Sequence, residues 1–156
     1  MTLINTPNLI IADDCTNGLD VTVAAQVMDL FLDIIDKNNA TSIMITHDLG
    51  IVAQCCTDIA IMYAGQIVEK APVSTFFTSF AHPYSEVIFN SLPQNASNAI
   101  KKSNDRIDSF HLPKGCLFYN RCNYCTEECL AERPAMLKIS DNHYAKCIHP
   151  LCGGKK

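Results

Sequence analysis

The sequence lacks three features that mark large classes of protein. It has no excess of positive charge, because twelve Lys and Arg against sixteen Asp and Glu give a formal charge of −4; this argues against nucleic-acid binding. It has no apolar run near the ~20 residues that a membrane-spanning helix needs. Asn5, Pro7 and Asn8 closely follow Met1, so we expect no secretory signal. Together these absences favour a cytoplasmic protein.

The chain does contain two short apolar runs separated by a helical pattern. Residues 9–12 and 42–45 are rich in isoleucine, and short continuous runs of this kind predict fully buried strands. Between them, apolar residues recur at helical spacing after Asp20, which predicts an amphipathic helix capped by that carboxylate. With 48% hydrophobic residues, the chain can form a packed core. We therefore predict a βαβ unit in an α/β fold.

Polar side chains follow both predicted strands. Asp13 and Asp14 follow the first strand and His47 follows the second, at the sheet edge where parallel sheets carry their chemistry. Asp13 could hold Mg²⁺ against nucleotide phosphates, usually through water. Asp14 could polarise an attacking water, and His47 could contact that water or a terminal phosphate. The alternative is that all three are solvated or capping groups; their occurrence together favours the nucleotide site.

Shorter elements are predicted beyond the second strand. They are a helix over residues 48–54 capped by Asp48, a hairpin of strands 59–63 and 66–69 turning at Ala64 and Gly65, and helices over 72–77 and 82–91, the last starting at His82 and Pro83. Residues 93–111 are rich in Asn, Ser and Lys and predict a linker. A cysteine-rich tail follows.

Cysteine is distributed unevenly along the chain. Nine cysteines are present, and six of them fall within residues 116–156. An odd number in a chain of cytoplasmic character does not favour a disulfide framework, whereas a cluster near one end suggests a metal. The remaining three, Cys15, Cys55 and Cys56, are expected to be small buried hydrophobes. Gly115 permits a tight approach of the backbone just before the first cysteine of the tail.

The spacing of the tail cysteines leaves the metal open. Four thiolates suit either tetrahedral Zn²⁺ or a [4Fe–4S] cluster. The pattern is not that of a zinc ribbon, because Cys122 and Cys125 form one close pair that has no mate. The alternative is a set of reduced structural cysteines that hold no metal.

In this order, the motifs resemble those of the second half of an ATP-binding-cassette (ABC) ATPase. Residues 7–36 resemble the Walker B and D-loop region, residues 46–49 the switch-histidine region, and residues 62–69 the hairpin after it. Residues 81–84 (Ala-His-Pro-Tyr), followed by Ser-Leu-Pro at 91–93, are typical of the ATPases of dipeptide and oligopeptide importers and their antimicrobial-peptide-resistance relatives. The similarity extends from residue 7 to about residue 147.

The resemblance implies a fold and a domain organisation. The fold class is α/β: a partial P-loop NTPase βαβ sheet that lacks its amino-terminal half, followed by a small, irregular cysteine-rich module. Residues 1–92 would be the carboxy-terminal part of the ABC ATPase domain, residues 93–111 a linker, and residues 112–156 the carboxy-terminal module of an oligopeptide transporter.

The resemblance also assigns roles at the strand ends. Asp13 corresponds to the Walker B aspartate that handles Mg²⁺, Asp20 to the D-loop that faces the partner ATPase, and His47 to the switch histidine, with ATP as the nucleotide. Asp14 stands where the family usually has a catalytic glutamate, and Cys15 stands where proline usually follows. Aspartate is one methylene shorter, and a misplacement of about 1 Å can cost on the order of 100-fold in rate.

For the tail, the resemblance selects Cys116, Cys122, Cys129 and Cys147 as ligands of a [4Fe–4S] cluster, with Zn²⁺ as the alternative and Cys125 and Cys152 as extra thiols. The partners it implies are a second ABC ATPase subunit, transmembrane permease subunits and a peptide-type substrate carried by the permease. The implied location is the cytoplasm, at the inner face of the cell membrane.

Two parts of such an ATPase have no counterpart in the sequence. It contains no GxxxxGK[ST] loop, which would cradle the β- and γ-phosphates, and no LSGGQ-type signature. We therefore expect a truncated subunit with negligible ATP affinity of its own, in which an unpaired strand edge and an exposed helix face favour aggregation. The alternative function is a non-catalytic metal-binding or interaction fragment, or a relic of such a subunit.

Overall fold

The computed structural model describes residues 7–92 and 112–151. The predicted linker over residues 93–111 and the extra thiol of Cys152 therefore lie outside the described residues. Contacts between residues divide the chain into two units, an amino-terminal unit of residues 1–55 and a carboxy-terminal unit of residues 56–156. The division into 1–92 and 112–156 stays a prediction.

The amino-terminal unit is a βαβ unit followed by a short helix, as the sequence predicts. Its two strands are parallel neighbours, with Leu9 opposite Thr41 and Asp13 opposite Ile45. This register puts the carboxyl ends of both strands at one edge. The elements are β1 (Leu9–Asp13), α1 (Val21–Asn38), β2 (Thr41–Ile45) and α2 (Leu49–Cys55).

Side-chain caps fix the starts of both helices. Asp20 Oδ1 accepts hydrogen bonds from the backbone N–H groups of Thr22 and Val23, both at 3.0 Å. Asp48 Oδ1 accepts from the N–H of Gly50 at 2.7 Å. Each carboxylate satisfies N–H groups that the first helical turn leaves without an intrahelical partner. The predicted caps of α1 and α2 are thus confirmed.

The prediction of fully buried strands is wrong for the amino-terminal unit. Ile11 is 62% exposed and Ile45 is 52% exposed, whereas Ala12 is only 8% exposed. Alternate side chains of a strand point to opposite faces, and within the described residues the sheet of this unit has only two strands. One of its faces therefore carries isoleucine into solvent. The expectation that Cys15 is buried is also wrong, because its side chain is exposed.

The carboxy-terminal unit is built on a four-stranded antiparallel sheet. The strand order is β3-β4-β6-β5, and the first two strands form the predicted hairpin. Its turn residues Ala64 and Gly65 have φ angles of 46° and 76°, as a two-residue turn with two left-handed residues requires. The elements are β3 (Asp58–Tyr63), β4 (Gln66–Pro72), α3 (Val73–Thr78), α4 (Pro83–Asn90), a 3-10 turn (Tyr119–Arg121), α5 (Glu128–Ala131), β5 (Leu137–Ser140) and β6 (His143–Ala145).

The cysteine-rich tail is less irregular than the sequence predicts. Its last two strands form a hairpin whose turn includes Asn142 at a φ of 56°, and Ala145 of β6 pairs with Glu69 of β4. The tail thus completes a sheet begun before residue 92. The sequence signal for this hairpin was a run of alternating apolar and polar residues that reaches an Asp-Asn pair at 141–142.

An aromatic cluster joins the two stretches of this unit. The ring of Tyr63 on β3 lies 4.5 Å from that of Tyr84 and 5.2 Å from that of Phe118. Phe118 is 2% exposed, and Phe76 on α3 is fully buried. These rings place the core of the unit between the hairpin and residues 112–151.

None of the described helices combines the length and apolar character that crossing a membrane requires.

Candidate functional site at the strand ends

The parallel pairing brings the predicted site residues to one edge. Asp13 is the last residue of β1 and lies beside Ile45, the last residue of β2. The N–H of Asp14 then donates to the carbonyl of Ile45 at 2.8 Å. The chain segments that leave the two strands are therefore held together for one residue beyond the sheet.

Asp14 and His47 are in direct contact. His47 Nδ1 lies 3.2 Å from Asp14 Oδ1, and Asp14 has a left-handed backbone with φ 49°, a conformation that non-glycine residues adopt infrequently. Both side chains face solvent, at 79% exposure for His47 and 41% for Asp14. An exposed pair of this kind contributes little to stability.

The remaining site residues are placed differently. Asp13 is exposed at the end of β1, one residue from the Asp14–His47 pair. Asp20 serves as the cap of α1, so one of its carboxylate oxygens is engaged within its own helix turn. The structure thus brings Asp13, Asp14 and His47 to one edge and assigns Asp20 a local structural role.

The amino-terminal unit also has an open groove of about 670 Å³. His47 and Asp48 line it, but Asp13 and Asp14 do not. The paired carboxylate of Asp14 therefore lies outside this groove. A triphosphate held there would need further walls. The other lining residues are mostly on α1, α2 and the loop before α1.

A second candidate site is the cysteine pocket, a small cavity of about 20 Å³ in the carboxy-terminal unit. Its lining includes all five described cysteines of the tail. The sequence-predicted ligands are therefore gathered around one cavity, together with one further thiol. The five are Cys116, Cys122, Cys125, Cys129 and Cys147.

Gly115 makes this gathering possible. A Cβ atom on Gly115 would lie 2.7 Å from the backbone carbon and oxygen of Leu130, closer than real contacts allow. Next to it, the N–H of Cys116 donates to the carbonyl of Cys129 at 2.8 Å. The predicted close approach before the first cysteine is confirmed, because only glycine permits these two segments to touch.

Burial controls the protonation of the pocket thiols. Burial raises the pKa of the Cys122 and Cys147 thiols to about 11, although backbone hydrogen bonds to both thiols lower their pKa. Burial also raises the pKa of Cys116. These thiols are therefore protonated at neutral pH, whereas a metal binds thiolate. Over residues 7–92 and 112–151, no three His, Cys, Asp or Glu side chains are arranged to hold a metal ion. The donor types of the pocket, five thiols, are those that Zn²⁺ and iron–sulfur clusters bind.

Sequence reasoning missed a buried ionisable pair. Glu69 is fully buried; its Oε1 accepts from the N–H of Ala81 at 2.8 Å and from His143 Nε2 at 2.8 Å, and its Oε2 accepts from the N–H of His82 at 2.7 Å. One carboxylate thus ties β4, the start of α4 and β6 together. The available signal was a glutamate that directly follows Ile67 and Val68 in a strand of the predicted hairpin.

His82 has the role that the sequence predicts. Its Nδ1 accepts from the N–H of Tyr84 at 3.0 Å and so caps α4, while Pro83 occupies the first helical position. Burial lowers the pKa of His82 to about 4, so the imidazole is neutral near pH 7. A neutral ring can accept a hydrogen bond at Nδ1, which the cap requires.

Comparison with known proteins defines the family. Residues 68–129 match the family described as the oligopeptide/dipeptide transporter, C-terminal region, and homologues match over most of the chain. The chain is similar to the C-terminal part of the ATP-binding proteins of dipeptide and oligopeptide transporters. The resemblance drawn from the sequence is confirmed.

Two relatives illustrate the match. The dipeptide transport ATP-binding protein of Escherichia coli K12 is 38% identical over 153 residues, which cover 93% of this chain and 45% of the relative. The oligopeptide transport ATP-binding protein of Bacillus subtilis 168 is 38% identical over 147 residues, covering 91% and 44%. The chain spans a little less than half the length of these curated relatives.

Proposed function

We propose that this chain supplies the hydrolytic edge of the ATP-binding subunit of a peptide-type ABC transporter. The observation that carries the proposal is the contact of His47 with Asp14 at 3.2 Å, beside Asp13 at the carboxyl ends of two parallel strands. Open α/β sheets bind ligands at this position. The relatives are ATP-binding proteins by name, which supports ATP as the nucleotide.

Asp13 is the proposed magnesium residue. Its exposed carboxylate ends β1, and carboxylates together with phosphate oxygens and water are the ligands that Mg²⁺ prefers. When bound, the ion would neutralise charge on the phosphates. The residue holds the ion at the edge; it takes no proton.

Asp14 and His47 form the proposed water-positioning pair. A neutral His47 that donates Nδ1–H to Asp14 leaves Nε2 as an acceptor, which suits a water O–H. A protonated His47 would donate from both nitrogens, and Nε2 could then contact a terminal phosphate. The contact also orients the Asp14 carboxylate, which can accept a proton from the attacking water.

Hydrolysis by this pair is proposed to be slow, because Asp14 is one methylene shorter than the glutamate usual in the family. The direct test joins this chain to the amino-terminal part of a relative and compares Asp14→Glu with the unchanged protein. We expect turnover to rise by on the order of 100-fold. Unchanged or lower turnover would show that Asp14 does not act as the base.

By itself, the chain is proposed to be unable to bind ATP. Its sequence has no glycine-rich phosphate loop, and the Asp14–His47 pair lies on an open edge with few groups to hold a triphosphate. Calorimetric titration of the chain with Mg²⁺ and ATP should give no measurable heat of binding. Micromolar affinity would contradict the proposal.

The partners of the proposed subunit follow from the family. They are a second ATPase subunit, which the turn ending at Asp20 would face, and the transmembrane permease subunits, so that the subunit lies at the cytoplasmic face of the membrane. The transported substrate would be a peptide. The support is the relatives' names, which specify dipeptide and oligopeptide transport.

A second proposed function is metal binding by the cysteine pocket. The gathering of five cysteines around one cavity favours it, and Cys116, Cys122, Cys129 and Cys147 are the proposed ligands of a [4Fe–4S] cluster or of Zn²⁺. Anaerobic purification followed by metal analysis tests the idea. Iron with brown colour favours the cluster, stoichiometric zinc favours the alternative, and no metal in either form rejects both.

A further inference from the structure

Cys125 differs from the other four cysteines that line the cysteine pocket. Its side chain is exposed, whereas Cys129 is buried and the other three are half-buried. It is also the one thiol of the five that does not belong to the four proposed metal ligands. A reagent in solvent therefore reaches Cys125 before the other thiols that line this pocket.

A tight turn brings Cys122 close to Cys125. The turn is formed by Asn123 and Tyr124, so the two cysteines are its first and fourth residues. The Cα atoms of these two residues in a β-turn lie less than about 7 Å apart, and disulfides join Cα atoms that are about 4.4–6.8 Å apart. The backbone of the turn therefore places the two cysteines in the range that a disulfide spans.

Tyr124 holds this turn in place through two hydrogen bonds. Its backbone N–H donates to Cys122 Sγ at 3.4 Å, which keeps the sulfur against the turn. Its hydroxyl donates to Glu86 Oε1 at 3.1 Å, which ties the turn to α4. Less conformational entropy is lost when the two sulfurs join, because the segment between them is already ordered.

Exposure selects this pair over a second pair of neighbouring cysteines. The N–H of Cys116 donates to the carbonyl of Cys129 at 2.8 Å, so their backbones are also close together. Neither of these two side chains is exposed, however, and a reagent larger than water does not reach them directly. The reaction therefore begins at Cys125, whose neighbour across the turn is Cys122.

We propose that Cys122 and Cys125 form a redox-active dithiol, which reacts with low-molecular-weight disulfides and closes to an intrachain disulfide. The proposal goes beyond the proposed function, since the reaction requires neither nucleotide nor metal. It has a consequence for the cysteine pocket, because oxidation removes Cys122 from the proposed metal ligands. The disulfide and a metal bound through Cys122 therefore exclude each other.

The reaction consists of two exchange steps. The thiolate of Cys125 attacks one sulfur of the reagent; the S–S bond of the reagent breaks, a mixed disulfide forms on Cys125, and the first reagent thiolate leaves. Cys122 then loses its proton to water and attacks Cys125 Sγ, which releases the second reagent thiolate. Two cysteine thiols are oxidised, the reagent is reduced to two thiols, and these products take up the two protons.

The test treats the full chain, freed of metal by a chelator and fully reduced beforehand, with oxidised glutathione. We expect an intrachain disulfide between Cys122 and Cys125. Chymotryptic cleavage after Tyr124 should then leave two peptides that this bond holds together, as mass spectrometry detects. Cys15→Ser is the matched control: Cys15 is also exposed but lies in the other unit, and its substitution should leave the bond unaffected.

Two variants separate the steps of the reaction. Cys122→Ser should stop with one glutathione on Cys125, because no thiol remains across the turn to displace it. Cys125→Ser should slow the reaction of Cys122 with glutathione disulfide at least about tenfold, because Cys122 is half-buried. Circular dichroism checks that both variants retain their fold, and the mapping of the bond in the unchanged protein does not depend on either variant.

Other outcomes contradict the proposal. A disulfide between a different pair, such as Cys116 and Cys129, overturns it. So does a glutathione that persists on Cys125 of the unchanged protein, because Cys122 is then out of reach. Closure of the Cys122–Cys125 bond in a chain that takes up neither zinc nor iron supports the dithiol and rejects only the proposed metal site.

Discussion

Two histidine–carboxylate pairs, one in each unit, have opposite surroundings. The Asp14–His47 contact is exposed and spans 3.2 Å. The Glu69–His143 contact is fully buried, spans 2.8 Å and is completed by two backbone N–H groups. A buried charge persists only where every oxygen has a donor, whereas a reacting group must stay accessible. The first pair is therefore suited to chemistry and the second to structure.

The largest effect should come from breaking the buried pair. Glu69→Gln replaces one carboxylate oxygen with an amide donor. That donor then faces either the N–H of His82, or the N–H of Ala81 together with His143 Nε2. We expect a loss of about 3–5 kcal/mol in the free energy of unfolding, measured by urea denaturation. Glu86→Gln is the control, because the Glu86 carboxylate accepts an exposed hydrogen bond from the hydroxyl of Tyr124, and an amide oxygen can accept it as well. This change should cost less than about 1 kcal/mol. Similar losses in both variants would refute the structural role of Glu69.

Gly115→Ala should be the next most damaging change. Its methyl group would collide with the backbone of Leu130, and backbone cannot move as a flexible side chain can. We expect more than about 3 kcal/mol of destabilisation, measured by thermal unfolding. Gly65→Ala is the control, because a methyl group there meets nothing within 4 Å and costs only the left-handed backbone, about 1–2 kcal/mol. A fully stable Gly115→Ala protein would contradict the close approach.

Acid should destabilise the carboxy-terminal unit through His82. Burial lowers its pKa from 6.5 to about 4 in the folded state, so the unfolded chain binds more protons between these values. The free energy of unfolding therefore keeps its full value above pH 6.5 and decreases as the pH falls from 6.5 to 4. The decrease reaches about 3 kcal/mol at pH 4. Urea denaturation from pH 7 to 4 measures this slope, and His82→Asn, which keeps a capping oxygen, should reduce it. An unchanged slope would assign the effect to other groups.

The exposed pair should show the smallest effect on stability. His47→Ala removes a side chain that is 79% exposed, and we expect less than about 0.5 kcal/mol of change in unfolding free energy. In a subunit joined to an amino-terminal part, the same change should lower ATP turnover on the order of 100-fold. A variant that loses stability but keeps turnover would reverse the distinction between the two pairs.

Local signals in the sequence were enough to predict much of the fold. The caps at Asp20 and Asp48, the turn at Ala64–Gly65 and the start of α4 depend on residues within one turn of each other. The juxtaposition of Asp13, Asp14 and His47 follows from one parallel strand pair. The hydrolytic roles of these residues stay predictions.

The features that the sequence did not predict are non-local. Burial of Ile11 depends on neighbours that a run of apolar residues cannot reveal, and the strands were wrongly expected to be buried. Glu69 and His143 are separated by 74 positions, so no spacing pattern connects them. The strand β6 is only three residues long, which is too short for a periodic signal.

The pairing of β4 with β6 has a consequence for synthesis of the chain. A ribosome releases residue 69 long before residue 143, and closing so long a loop is entropically costly and slow. During that interval the nascent hairpin exposes an acidic side chain without its imidazole partner, together with an unoccupied strand edge. The four-stranded sheet of the carboxy-terminal unit therefore cannot be completed until β6 has left the ribosome, and the open edge of β4 is prone to aggregation until then.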